Sequence, residues 1–122
     1  QEGAVWEAAL FAAQFRLGNL IATVDNNDMQ AMGFLGDVMS LAPLADKWTA
    51  FGWHTQVVDG HDTVALGKAY NNLDATRPNC RIADTVKGKG VSFMENNLVW
   101  HYRDPQGEDY EKAVGELERE AP

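Results

Sequence analysis

The sequence predicts an α/β fold: a parallel sheet with helices packed on both faces. Three observations carry that expectation. Short apolar runs alternate along the chain with segments of helical period, the order that favours parallel strands joined by crossovers. Leu20 to Val24 is apolar without polar alternation, the pattern of a strand covered on two faces. With 122 residues, 45% of them hydrophobic, the chain can bury one core, as a single domain or a piece of one.

The elements follow in order. Residues 4–17 place Val5, Ala8, Ala9, Phe11, Ala12 and Phe15 at spacings of three and four, which predicts a helix ended by Gly18. Leu20 to Val24 is the first strand. It stops at Asp25-Asn26-Asn27-Asp28, four residues whose side chains bond their own backbone, so an exposed loop is expected as far as Gly36. Pro43 to Phe51 reads as a second helix, Trp53 to Val58 as a strand, Asp62 to Leu73 as a third helix capped near His61-Asp62, and Asn79 to Asp84 as a strand. Residues 86–103 have no clear period, and 106–119 form a polar terminal helix with Tyr110, Ala113, Val114 and Leu117 on its apolar side. Ligands of parallel sheets lie beyond the carboxyl ends of the strands. The segments after Val24, Val58 and Asp84 are therefore the places to expect function.

Ten Lys and Arg against eighteen Asp and Glu leave a net charge of −8, which argues against nucleic acid or an anionic membrane as partner. Any phosphate must be held locally. No apolar run reaches the ~20 residues of a membrane span, and the single cysteine, Cys80, cannot form an internal disulfide. A soluble, cytoplasmic protein is expected. Gln1-Glu2-Gly3 enters a helical pattern at once, which predicts a segment cut away upstream.

Two segments have the chemistry of a site. Asp25 to Asp28 offers hard oxygen donors of the kind Mg²⁺ accepts together with carbonyls and phosphate, without the spacing of a calcium-binding EF-hand loop; a plain Asx-rich turn is the competing reading. Lys87-Gly88-Lys89-Gly90 follows a predicted strand, where a glycine-flanked turn can bring N–H groups and an ammonium near a phosphate; a surface turn with two lysines competes. His54, His61 and His101 are too dispersed for a local zinc site. Neither a Gly-x-Ser-x-Gly elbow nor a Walker-type phosphate loop is present.

Several segments, in order and correctly spaced, resemble the diphosphate-binding domain of transketolase. They are Gln-Glu-Gly-Ala-Val-Trp-Glu-Ala at 1–8, Leu-Gly-Asn-Leu-Ile-Ala at 17–22, Val-Asp-Asn-Asn at 24–27, Pro-Leu-Ala-Asp-Lys-Trp-Thr-Ala-Phe-Gly-Trp at 43–53, Val-Asp-Gly-His-Asp at 58–62, Thr-Val-Lys-Gly-Lys-Gly-Val-Ser-Phe-Met-Glu-Asn at 85–96, and Trp-His at 100–101. The likeness is strongest to the bacterial form divided into N-terminal and C-terminal subunits. It implies that residues 1–122 are the C-terminal portion of a thiamine diphosphate-binding domain, an incomplete piece of that fold.

The resemblance further implies a thiamine diphosphate enzyme of the pentose phosphate pathway that moves a two-carbon ketol unit from a ketose phosphate to an aldose phosphate. Asn27 and the carbonyl of Met29 match ligands of a divalent metal, Mg²⁺ or else Ca²⁺ or Mn²⁺. Lys87 and His101 match basic residues near the diphosphate and the thiazolium ring. Glu2 matches a glutamate at a dimer contact, where it supports the carboxylate of the partner's pyrimidine-binding domain; with His101 it is expected to be catalytic. The family's Gly-Asp-Gly aspartate is expected upstream of Gln1, and the implied partners are that upstream segment and a C-terminal subunit, in a homo-dimer or hetero-tetramer. Asp28, often Gly in relatives, and Asp84, often basic or His, are departures. A 1-deoxyxylulose 5-phosphate synthase or 2-oxoacid dehydrogenase component is the alternative enzyme reading; a non-catalytic structural or regulatory subunit is the alternative of another class.

Overall fold

A computed structural model describes residues 1–120; the last two residues of the expected 1–122 domain lie outside the described residues. Backbone contacts divide the chain into two units, residues 1–26 with 39–85, and residues 27–38 with those from 86 onward.

The first unit contains α1 (Gly3–Gln14), β1 (Ile21–Asn26), α3 (Leu44–Ala50), β4 (His54–Asp59), α4 (Thr63–Asn71) and β5 (Asn79–Asp84). Its sheet is parallel, in the order β1-β5-β4. Alternate residues of β5 face opposite ways. Cys80 and Ile82 join Ala9 and Ala12 of α1, Trp48 of α3 and Trp53 in a buried cluster, and the Trp53 indole N–H donates to the Ala9 carbonyl at 2.9 Å. Arg81, between them, points to α4 and donates to the Ala69 and Asn72 carbonyls at 2.9 and 2.8 Å. Helices therefore cover both faces, as expected.

Three expectations are corrected. The strand buried on both faces is β5, although it contains Asn79 and Arg81, both fully buried; apolar β1 is an edge strand and only half-buried. Helix α1 buries Ala9 and Ala12 with Trp6 and Ala13 against them, and leaves Val5, Phe11 and Phe15 exposed. Small alanines allow the close approach of the sheet, so the larger apolar stripe faces out. The helix also ends before Gly18, in a Schellman turn with Arg16 at φ 50, where Arg16 N–H donates to Ala13 and Leu17 N–H to Ala12. Gly18 answers a different need: a Cβ there would stand 2.0 Å from the Ala75 carbonyl oxygen.

Helix α4 is capped as predicted, with the Asp62 carboxylate accepting from the N–H groups of Val64 and Ala65, both at 2.9 Å. At the carboxyl ends of the strands, Asn26 donates to Asp84 at 2.7 Å, Gly60 N–H to the Asp84 carbonyl at 2.7 Å, and the Thr85 hydroxyl to Asp25. Asp84 thus acts as a clasp between register partners, and just beyond this clasp the chain leaves the unit.

The second unit contains the antiparallel hairpin β2 (Met29–Gln30) and β3 (Gly33–Phe34), the short α2 (Leu35–Val38), a 3₁₀ turn (Leu98–His101) and α5 (Glu108–Glu120). The expected open loop to Gly36 is therefore partly ordered. The terminal helix begins two residues later than Gln106 and buries Ala113, while Tyr110 and Leu117 stay exposed. It is tied to the preceding turns by Glu116, which accepts from the Ser92 hydroxyl and N–H; these bonds lower its carboxyl pKa.

Candidate cofactor site

One cavity of about 100 Å³ in the second unit is lined by Asn27, Met29, Gln30, Ala31, Lys87, Leu98 and His101. Four of the five residues that the sequence singled out meet there. Glu2 does not: it lies at the start of α1, exposed, and lines a separate cavity of about 180 Å³ in the first unit with Val5, Trp6 and Trp48.

The Asx segment is ordered by its own side chain. Asn27 Oδ1 accepts the Met29 N–H at 3.0 Å, and Asp28 lies at φ 57. That left-handed angle is where glycine is unstrained and Asp is tolerated. Leu35 N–H donates to the Asp28 carbonyl at 2.9 Å. Bonded and non-bonded pairs alternate along an antiparallel ladder, so Met29 and Phe34, the next pair, are non-bonded. The Met29 carbonyl is thereby turned away from β3 and left available, and the Asn27 oxygen retains a second lone pair.

On the other wall, Gly88 (φ +76) and Gly90 (φ +92) shape the turn after Lys87, and Gly88 has no room for a Cβ, which would stand 2.6 Å from the Met94 carbonyl oxygen. In this turn the N–H groups of Lys89, Val91 and Gly90 are already bonded, to Val86, to Gly88 and to the Glu95 carboxylate, whereas those of Lys87 and Gly88 make no hydrogen bond among the described residues. Those three cannot also cradle a phosphate, so the expectation for this turn narrows to the N–H groups of Lys87 and Gly88. Lys89 pairs with Glu95 at 3.7 Å, whereas Lys87, on the cavity wall, has no ion-pair partner among the described residues.

The 3₁₀ turn is held from below by Phe93, whose carbonyl accepts from Asn97 Nδ2 at 3.2 Å and Trp100 Nε1 at 3.0 Å. Trp100 packs on Phe93 and His101 on Tyr102. His101 is therefore no core ring beside Trp100; it is exposed and reaches the cavity. Sequence reasoning missed Gln30, Ala31 and Leu98, which carry no signal apart from their nearness to Met29 and His101.

The donors suit a divalent ion already bound to phosphate. Two neutral hard oxygens, a carboxamide and a peptide carbonyl, fit Mg²⁺ when anionic oxygens complete the shell, and an unpaired ammonium suits diphosphate. No group of three His, Cys, Asp or Glu side chains able to hold a metal occurs among the described residues. The remaining thiol, Cys80, has its pKa pushed up to about 12 by burial and is packing, not a nucleophile.

The family profile described as "Transketolase, thiamine diphosphate binding domain" matches residues 1–114. The chain belongs to the transketolase family. It is 44% identical over 121 residues to a 6-deoxy-6-sulfo-D-fructose transketolase subunit of Clostridium sp. (strain MSTE9), covering 98% of this chain and 44% of that protein. It is 41% identical over 118 residues to an apulose-4-phosphate transketolase subunit of Phocaeicola vulgatus, covering 95% and 42%. The chain thus spans less than half the length of these curated relatives. Among solved structures, the transketolase of Campylobacter jejuni superimposes with a TM-score of 0.75 at 28% identity over 81% of this chain and 16% of that one. A transketolase of Pichia stipitis reaches 0.85 at 24% identity over 96% and 18%, a likeness of fold. Among the described residues, no helix of this transketolase-family domain is long and apolar enough to cross a membrane.

Proposed function

We propose that this chain holds the metal–diphosphate end of thiamine diphosphate in a transketolase, an enzyme that transfers a two-carbon ketol unit between sugar phosphates. The supporting observation is the shared cavity: Asn27, Met29, Lys87 and His101, drawn from distant parts of the sequence, line one small space. When bound, the cofactor supplies the carbanion chemistry, and the protein's part is binding, orientation and electrostatics.

Asn27 Oδ1 and the Met29 carbonyl are assigned to a divalent ion, Mg²⁺ by preference. The Asx turn presets both before the ion arrives, since the side chain that would bind it also fixes the residue bearing the second ligand. Lys87 places its charge against the diphosphate oxygens. His101, which also lines the cavity, donates a hydrogen bond or carries a proton at one ring nitrogen. Among the described residues no carboxylate lines the cavity, so the acid that neutralises the ion is assigned to another part of the assembled enzyme. Glu2, exposed at the start of α1, is assigned to a subunit contact, where it supports a partner's carboxylate.

Because relatives bear the name of subunits, the working enzyme is proposed to pair this chain with a second subunit that carries the pyrimidine-binding domain, as a homo-dimer or hetero-tetramer in the cytoplasm acting on sugar phosphates. The test is Asn27→Leu in the assembled enzyme. Mg²⁺-dependent binding of thiamine diphosphate, followed by calorimetry, should weaken at least about tenfold, the equivalent of ~1.4 kcal/mol. Unchanged metal-dependent binding and turnover would overturn the assignment.

A further inference from the structure

Tyr102 has no place in the reading above, yet it touches both walls of the cavity. Its hydroxyl donates to the Ala31 carbonyl at 3.0 Å, across 71 positions of sequence. Its ring stands edge to face with that of His101, with centroids 4.8 Å apart and planes at 89°, a favourable aromatic geometry. Ala31 lies at the tip of the hairpin that carries Met29, and the 3₁₀ turn that carries His101 ends at Tyr102, whose own N–H donates to Val99 at 3.2 Å. A hairpin with two residue pairs is marginal without outside support. The Tyr102 hydroxyl supplies such support at the tip.

We propose that Tyr102 is a positioning residue: by tying the Ala31 carbonyl to the turn bearing His101, it fixes the spacing between the metal-side wall and the imidazole-side wall of the cavity. This inference rests on the proposed function, since the spacing matters only if a metal-bound cofactor is gripped between those walls. The hydroxyl and the ring have separable duties. The hydroxyl sets the hairpin; the ring sets the orientation of His101.

Tyr102→Phe keeps the ring and removes the tie, and Tyr102→Leu removes both, so the pair distinguishes the two duties in the assembled full-length protein. Without ligand, hydrogen exchange read by mass spectrometry on the peptide covering residues 27–38 should quicken about three- to tenfold in Tyr102→Phe, the loss of one exposed hydrogen bond. The Mg²⁺ concentration needed for half-saturation with thiamine diphosphate should rise by a similar factor. Carbethoxylation of His101 should keep its native rate in Tyr102→Phe and change in Tyr102→Leu. A residue that served folding alone would shift only the thermal midpoint. Unchanged hairpin exchange in Tyr102→Phe, or native-like metal affinity beside a native protein that does bind, overturns the inference and leaves the functional reading intact. A native protein that binds neither metal nor cofactor overturns both.

Discussion

At the centre of the sheet, Asn79 and Arg81 engage every polar atom of their side chains; around the cavity of the other unit, Gln30, Lys87 and His101 make no side-chain hydrogen bond or ion pair among the described residues. Asn79 accepts from Asp74 N–H and His54 and donates to the carbonyls of Gly18, Asp74 and Arg77. Arg81 donates to four carbonyls, those of His54, Ala69, Asn72 and Cys80. Burial lowers its pKa from the usual arginine value. Polar groups sealed from water must find partners within the fold. Groups left open at a cavity are available to a ligand. The contrast separates scaffold from site more clearly than residue type does, since both regions use Asn and a cation.

The largest way to break the scaffold side is Arg81→Met. Four carbonyls would lose a donor in a dry place, and urea unfolding should show a loss of about 3–5 kcal/mol. Gly18→Ala comes next: its Cβ would collide with a backbone oxygen, and a cost of about 1–3 kcal/mol is expected as the Ala75 segment yields. Lys87→Met sharpens the other side of the comparison. Its unfolding free energy should stay within about 0.5 kcal/mol of the native value, while thiamine diphosphate binding falls roughly tenfold, by ~1.4 kcal/mol. A stability loss as large as that of Arg81→Met would erase the distinction.

The smallest effect lies at the rim of the polar hub. Thr76, through its hydroxyl and N–H, and then Arg77 hold the Asp74 carboxyl down from its ordinary value of 3.8 to about 2. A carboxylate with a depressed folded pKa contributes stability that is complete above its unfolded value and is lost as pH falls through the folded one. Native protein should therefore lose an increment of stability between pH ~4 and ~2. Asp74→Asn should lack that increment, so the two unfolding curves should approach each other in acid.

Order and type of elements were legible because helix and strand patterns alternate, and Asn79 to Asp84 was bounded correctly. The phase of α1 was not. Both of its sides are apolar, and hydrophobicity alone favours burying Phe11 and Phe15, whereas the close approach of the sheet selects Ala9 and Ala12. The hairpin at Met29 was hidden because Ala31-Met32 at its tip lacks the Asn-Gly chemistry of a tight turn. Asn27 stood out by its oxygen and its neighbours. The free carbonyl of Met29 depends on ladder register, and the bond from Tyr102 to Ala31 on two distant segments meeting; neither leaves a trace in local sequence.

Arg81 lies inside the protein with all its hydrogen bonds going to peptide oxygens and, among the described residues, no ion pair with a carboxylate. Dissolved electrolyte screens pairs of exposed opposite charges, and here there is no such pair to weaken. The bonds that Arg81 makes should therefore keep their strength across salt concentrations that would loosen the grip proposed for the Lys87 ammonium on a phosphorylated guest.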